Sequence, residues 1–362
     1  EIRTSAAAAI IDMDSGSSDK ATNILDEALQ SSDELTKSKA LKRLEINEDI
    51  LPDTKLEIFL KEENILTSNA ALLVAEKRKK ETLLPAIITN LGNSKTFLQA
   101  RQALQSFDEE TVIENFTNIL SNSDLGRHKR RGIIKALKDY PASNLLLDQL
   151  DETDQGIYNE TVDSLLVRAR AEELDEKRLE IISSEIQKVA RKLYALHVCK
   201  KLLPENDKKL LIIDHLNNEI QNALPSLLKL GVMSKPNTPI ETYIQIIKSG
   251  DPAKLPFLLE FFENIFTKDQ RNIINPLIEE IPLEERAEIG KSHFNDLPTN
   301  INDELVILMQ SANKWESIIT LDYVIQNEMN DLLATLDWSK IPNSSGNCEL
   351  VQRLSKKDTL NM

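Results

Sequence analysis

The side chains in this 362-residue chain that most often ligate metals or act as nucleophiles are four histidines (His128, His197, His215 and His293) and two cysteines (Cys199 and Cys348). His197 and Cys199 are the only close pair. Two residues apart on a helix they point to different faces, so they read as a partly buried histidine beside a core cysteine and not as a ligand pair. Adjacent carboxylates are plentiful, at Asp108-Glu109-Glu110, Glu279-Glu280 and Glu284-Glu285. Such pairs can do acid–base work, but these fall at helix starts or on solvent faces, where capping and solvation account for them. The chain contains no GxxxxGK[ST] loop, no GxGxxG and no HExxH, and nine glycines offer little material for a phosphate cradle. No catalytic residue, no metal site and no cofactor is expected.

Positive charge is the remaining chemistry. Lys77, Arg78, Lys79 and Lys80 form one basic run, and Arg127, His128, Lys129, Arg130 and Arg131 form a second. The first closes a helix and the second opens one, so the two could flank one ridge and hold an acidic peptide, a phosphate or a lipid headgroup. The plainer reading of each is a solvated helix face, and a cationic helix C-terminus is favoured by the dipole in any case. Lys77, Arg78, Lys79, Lys80, Arg127, Lys129, Arg130 and Arg131 are the candidate binding residues. A net charge of −15 argues against general nucleic-acid binding, which needs a net basic face.

The elements that must position these residues are helical. Aromatics are 4% of the chain, hydrophobic residues 41%, and turn material is scarce. An Ala-Leu pair recurs at 40–41, 71–72, 103–104, 136–137, 195–196 and 223–224, in steps of 31, 32, 33, 59 and 28 residues. Ser164-Leu165 fills the long step and Ala8 extends the series backwards. Each unit reads as two helices and a polar turn. Leu83, Leu84, Ile87, Ile88 and Leu91 share one helical face over 82–91, and Gly92-Asn93-Ser94 breaks it. Phe97, Ala100, Ala103, Leu104 and Phe107 line the next helix. Asp108-Glu109-Glu110 then opens a helix over Val112, Ile113, Phe116, Ile119 and Leu120, and Pro141 stops the one after it. A small Ala lets paired helices approach, and stacking is how each unit buries its apolar stripe.

Two-helix units of this length, with a small residue and a leucine in the second helix, resemble HEAT repeats, particularly the short bacterial HEAT-like type. The resemblance covers roughly residues 1 to 230, and armadillo-like packing is its nearest rival. It implies an all-α superhelix, a HEAT/armadillo-like solenoid of helix pairs. Two prolines and a polar stretch at Gly231–Pro239 predict a boundary or kink. The expected organisation is therefore an N-terminal array over 1–232, helical repeats continuing it over 239–338, and a polar tail or linker over 339–362. The stretch Leu258-Leu259-Glu260-Phe261-Phe262-Glu263-Asn264-Ile265, with 274–286 and Lys314-Trp315, is also similar to the HEAT module of bacterial proteins that join an MFS-like nucleotide-carrier domain to a cyclic-nucleotide-binding domain. That second resemblance implies a segment of a larger, membrane-transporter-like protein.

Together these readings predict a non-enzymatic protein-interaction or coupling module whose partners are proteins or adjacent domains of the same polypeptide. The alternative is a HEAT-type enzyme, lyase-like or DNA-glycosylase-like, using the array as a substrate cradle. Two widely separated cysteines fit a reducing compartment, and no stretch of sequence is apolar enough to span a bilayer. The expected location is the cytoplasm, with the membrane reached only through flanking segments. An uncapped start at Glu1-Ile2-Arg3 reads as a helix cut into, which predicts that the chain is a piece of something longer.

Overall fold

In a computed structural model, residues 19–341 are described apart from 45, 46, 205, 207, 208 and 312, together with residues 4, 6, 7, 9 and 10. Ala8, Cys348 and the expected tail beyond 341 lie outside the described residues. All regular structure among the described residues is helical, with no strand. The chain divides into two compact units, Glu1–Leu146 and Leu147–Met362.

In the first unit the helices are α1 (Asp19–Leu29), α2 (Glu34–Arg43), α3 (Asp53–Leu60), α4 (Ile65–Arg78), α5 (Leu84–Thr89), α6 (Phe97–Leu104), α7 (Glu109–Leu120) and α8 (Arg127–Leu137), with α9 (Ser143–Leu147) at its end. Side-chain caps start several of them. Asp33 accepts the Thr36 amide at 3.1 Å, Asn64 the Leu66 amide at 2.9 Å, and Asp108 the Thr111 amide at 3.1 Å. Helices pack in alternation. Each odd helix packs on the even helix after it, α2 packs on α4 and α4 on α6, while α3 packs on α5 and α5 on α7. The Ala-Leu pairs explain the close row. Ala40, Leu41, Ala71, Leu72, Ala103, Leu104, Ala136 and Leu137 have no exposed surface at all. The amphipathic segment over 82–91 is not one helix. Short 3₁₀ turns at Glu81–Leu83 and Asn90–Gly92 bracket α5, because Pro85 fits only a first helical turn and restarts the chain there.

Gly92 and Gly132 have a shared reason. Helix α8 crosses the Asn90–Gly92 turn so closely that a Cβ on Gly132 would meet the Leu91 carbonyl oxygen at 2.1 Å, and one on Gly92 would meet Lys129 Cγ at 2.8 Å.

The second unit is organised on two long helices. Its elements are α10 (Gln155–Ala171), α11 (Glu176–Leu202), α12 (Leu210–Gly231), α13 (Ile240–Ser249), α14 (Leu255–Ile265), α15 (Lys268–Ile278), α16 (Leu283–His293), α17 (Ile301–Met309), α18 (Lys314–Gln326) and α19 (Asn330–Thr335). Helix α12 carries α10, α11, α13 and α18, and α11 also carries α15, α16 and α17. Residues 232–239 form a turn within this second compact unit. Long-range contacts close over that turn. The fully buried Tyr194 donates its hydroxyl to the Ile273 carbonyl at 2.8 Å and packs its ring against Gly290, while Arg170 donates to Pro236 O at 2.9 Å and to Glu241 at 2.8 Å. The Ala-Leu register is looser here. Ala195 is half-buried, unlike its counterparts in the first unit.

Candidate functional site

The two basic runs of the first unit meet different fates. Arg78, in the last turn of α4, is 2% exposed in its side chain. Its Nη1 donates to Leu51 O at 2.6 Å and to Asp53 Oδ1 at 3.0 Å, and its Nη2 donates to Leu44 O and Asn47 O, each at 3.2 Å. The guanidinium thus gathers the connection between α2 and α3, and its donors are committed to the fold. Lys80 pairs with Glu48 at 3.1 Å, and Lys79 caps α4 in the left-handed region at φ 53°. Lys77 and Lys79 are exposed. Of the first run, then, Arg78 is a structural clamp, which its sequence neighbours gave no sign of.

The second run occupies the opening of α8. Gly126 provides the N-cap without a side-chain acceptor, and no acidic residue stands in the first turn. Arg130 reaches back to the end of α7, donating to Leu120 O at 3.3 Å and Asn122 O at 3.0 Å. Arg127, His128, Lys129 and Arg131 are exposed. Cations at a helix N-terminus face the positive end of the dipole, each at a cost of about 0.3–1 kcal/mol. The Lys129 atoms closest to the glycine turn are Cγ, Cα and the backbone N.

The structure does not bring the two runs together. Asn69 of α4 reaches Lys95 O just before α6, and Glu76, further along α4, accepts from Gln99 and Gln102 of α6, so the two helices run the same way. Lys135 of α8 lies over the Phe97 ring at 5.0 Å and Arg101 forms a two-pronged ion pair with Asp139, so α8 is parallel to α6 as well. The first run is at the C-terminal end of α4 and the second at the N-terminal end of α8. With α6 between them, they are separated by roughly 20 Å of helix rise alone. The single ridge expected from sequence is two separate surfaces.

A further row went unnoticed in the sequence. Leu35, Leu66 and Leu98 are 51%, 53% and 72% exposed, and each stands five residues before the buried alanine of an Ala-Leu pair. That common register was the available signal.

In the second unit, His197 is buried, and neither ring nitrogen has a hydrogen-bond partner. Burial first, and then the positive charges of Arg286 and Lys200, push its pKa down to about 3. Cys199 beside it is also buried, and burial raises its thiol to about 12, far from a reactive thiolate. A cleft of about 370 Å³ lies between α10 and α11, bordered by Leu150, Asp151, Tyr158, Glu185, Lys188 and Lys192. Its polar groups are paired: Tyr158 donates to Glu185 at 2.9 Å, and Lys188 reaches Asp151 at 2.8 Å. Burial raises the Tyr158 phenol, and the Asp151 hydrogen bond raises Lys188, so both move away from the neutral range in which a general base works. Among the described residues, no group of three or more His, Cys, Asp or Glu converges as a metal site would require, and no helix is long and apolar enough to cross a membrane.

Comparison with known protein families, curated proteins and solved structures finds no match to this chain. The geometry is the only guide to function.

Proposed function

We propose that the chain is a non-enzymatic helical-repeat module, HEAT-like in its first unit, that binds an acidic protein surface or an adjacent acidic domain through the opening of α8. The observation that carries this reading is the exposed set Arg127, Lys129 and Arg131 at a helix N-terminus whose dipole opposes it, in a chain of net charge −15. A local basic patch on an acidic protein steers one class of partner and repels the rest. The alternating rows of the first unit and its fully buried Ala-Leu pairs support a solenoid, whose stacked second helices leave an open face.

The test is reversal of Arg127, Lys129 and Arg131 to Glu, with Arg130 kept because it holds the end of α7. Partners captured from lysate and solubilised membranes by the unaltered chain should be lost, with far-UV circular dichroism unchanged and the melting temperature not lowered, since Glu suits the helix N-terminus. Capture of the same partners by the reversed chain would overturn the proposal.

A further inference from the structure

Three exposed leucines at one repeat position are unlike scattered surface apolar residues, which need no explanation. Leu35, Leu66 and Leu98 open α2, α4 and α6, the three consecutive second helices. Cross-links hold those helices side by side: Thr67 donates to Glu34, Asn69 to Lys95 O at 3.5 Å, and Gln99 to Glu76 at 3.1 Å. Leu73, one heptad beyond Leu66 on the same face of α4, is half-buried. In the fourth repeat the leucine position, five before Ala136, is taken by the exposed Arg131. Lys135, one turn further, sits against Phe97 beside Leu98. At the opposite end, Asp33 and Glu34 directly precede Leu35, Asp33 capping α2 and Glu34 accepting from Thr67 and Lys37. The row thus carries exposed leucines interleaved with the polar cross-links between α2, α4 and α6, with carboxylates beside its first leucine and cations beyond its last.

We propose that Leu35, Leu66, Leu73 and Leu98 seat the apolar face of an amphipathic helix of a partner protein, whose acidic end lies over Arg131 and Lys135. Packed helices are about 8–10 Å apart, and a partner helix laid across them advances about 10.5 Å in seven residues. One apolar residue every seven or eight positions therefore meets successive leucines, and carboxylates beyond the last of them meet α8. The charge asymmetry of the row fixes the direction of the bound helix. This inference deepens the reading of α8 as the acidic-partner surface and rests on it.

The test is selection of peptides of about 25 residues from a displayed random library on the full chain, with binding of the selected peptides measured by fluorescence anisotropy. Expected are peptides that become helical when bound and repeat an apolar residue every seven or eight positions, with Asp or Glu beyond the last. They should bind the Leu35→Gln/Leu66→Gln/Leu98→Gln chain at least about tenfold more weakly, a loss of about 1.4 kcal/mol, and the Arg131→Glu/Lys135→Glu chain similarly. Leu98→Gln alone, at the most exposed position, serves if the triple variant does not fold. No selected peptide, peptides without this pattern, or equal binding by the glutamine variant would each overturn the proposal. Peptides that need the α8 cations but not the leucines would overturn it while leaving the reading of α8 intact. Self-association of the chain that the glutamine variant abolishes would assign the row to a second copy and overturn it too.

Discussion

Replacing Arg78 by Met removes the donors and keeps most of the side-chain volume, so it isolates the clamp from its packing. The carbonyls of Leu44, Asn47 and Leu51 and the Asp53 carboxylate lose the Arg78 donor together, while Leu44 O keeps the Asn47 amide at 3.1 Å and Asn47 O the Leu51 amide at 3.2 Å. A single hydrogen bond from a charged donor contributes about 1.5–3 kcal/mol, and four from one group do not add. Removing one member of a buried charged network costs about 3–5 kcal/mol. Asp53 is 28% exposed and can be resolvated, which places the expectation near the lower limit, about 3 kcal/mol. For a unit of this size that corresponds to a fall in melting temperature of roughly 6–12 °C. Urea unfolding followed by circular dichroism gives the free energy, and amide exchange read by mass spectrometry localises it, with protection lost first over residues 44–60. Arg78→Lys, with one ammonium in place of a planar fork, should recover only part of the loss, while the exposed Lys77→Ala should stay within about 0.5 kcal/mol of the parent. A loss below about 1 kcal/mol in Arg78→Met, with unchanged exchange over 44–60, would show that the guanidinium does not hold this connection.

Two more outcomes follow from buried geometry. Gly132→Ala should destabilise the first unit by about 3 kcal/mol or more, because its Cβ would lie 2.1 Å from a backbone oxygen that no rotamer change can move; Gly126→Ala, with nothing within 4 Å, is the control, and equal melting of the two would refute the close approach. His197 is held neutral in the folded chain, with a pKa of about 3, while the unfolded chain takes up its proton near 6.5. Stability from this group is therefore complete above about pH 6.5 and declines as pH falls towards 3, by about 2 kcal/mol between pH 6.5 and 5. His197→Leu should remove that part of the pH dependence, and parallel stability curves for variant and parent over this range would contradict it.

How much was legible beforehand depended on the range of the interaction. The helices, their starts at Asp108 and their polar turns depend on apolar spacing and caps within four residues, so local sequence carries them. The four Ala-Leu pairs of the first unit are all buried, and the register weakened at Ala195, where α11 runs long and packs on several later helices. The candidate site was half legible. Charge runs are visible as composition, yet Arg78 and Lys77 look alike until the carbonyls 27 to 34 residues away decide which one is enclosed.

By itself, then, the sequence determined an all-helical chain and an acidic composition with two basic runs, since these rest on composition and neighbours. Tertiary structure decided that the turn at 232–239 lies inside the second unit, because Tyr194 finds its acceptor 79 residues away at Ile273. It decided that the basic runs occupy different surfaces, because parallel second helices set a C-terminus and an N-terminus at opposite ends of a row. It also lined up Leu35, Leu66 and Leu98, because only stacking turns equal positions in a repeat into neighbours in space.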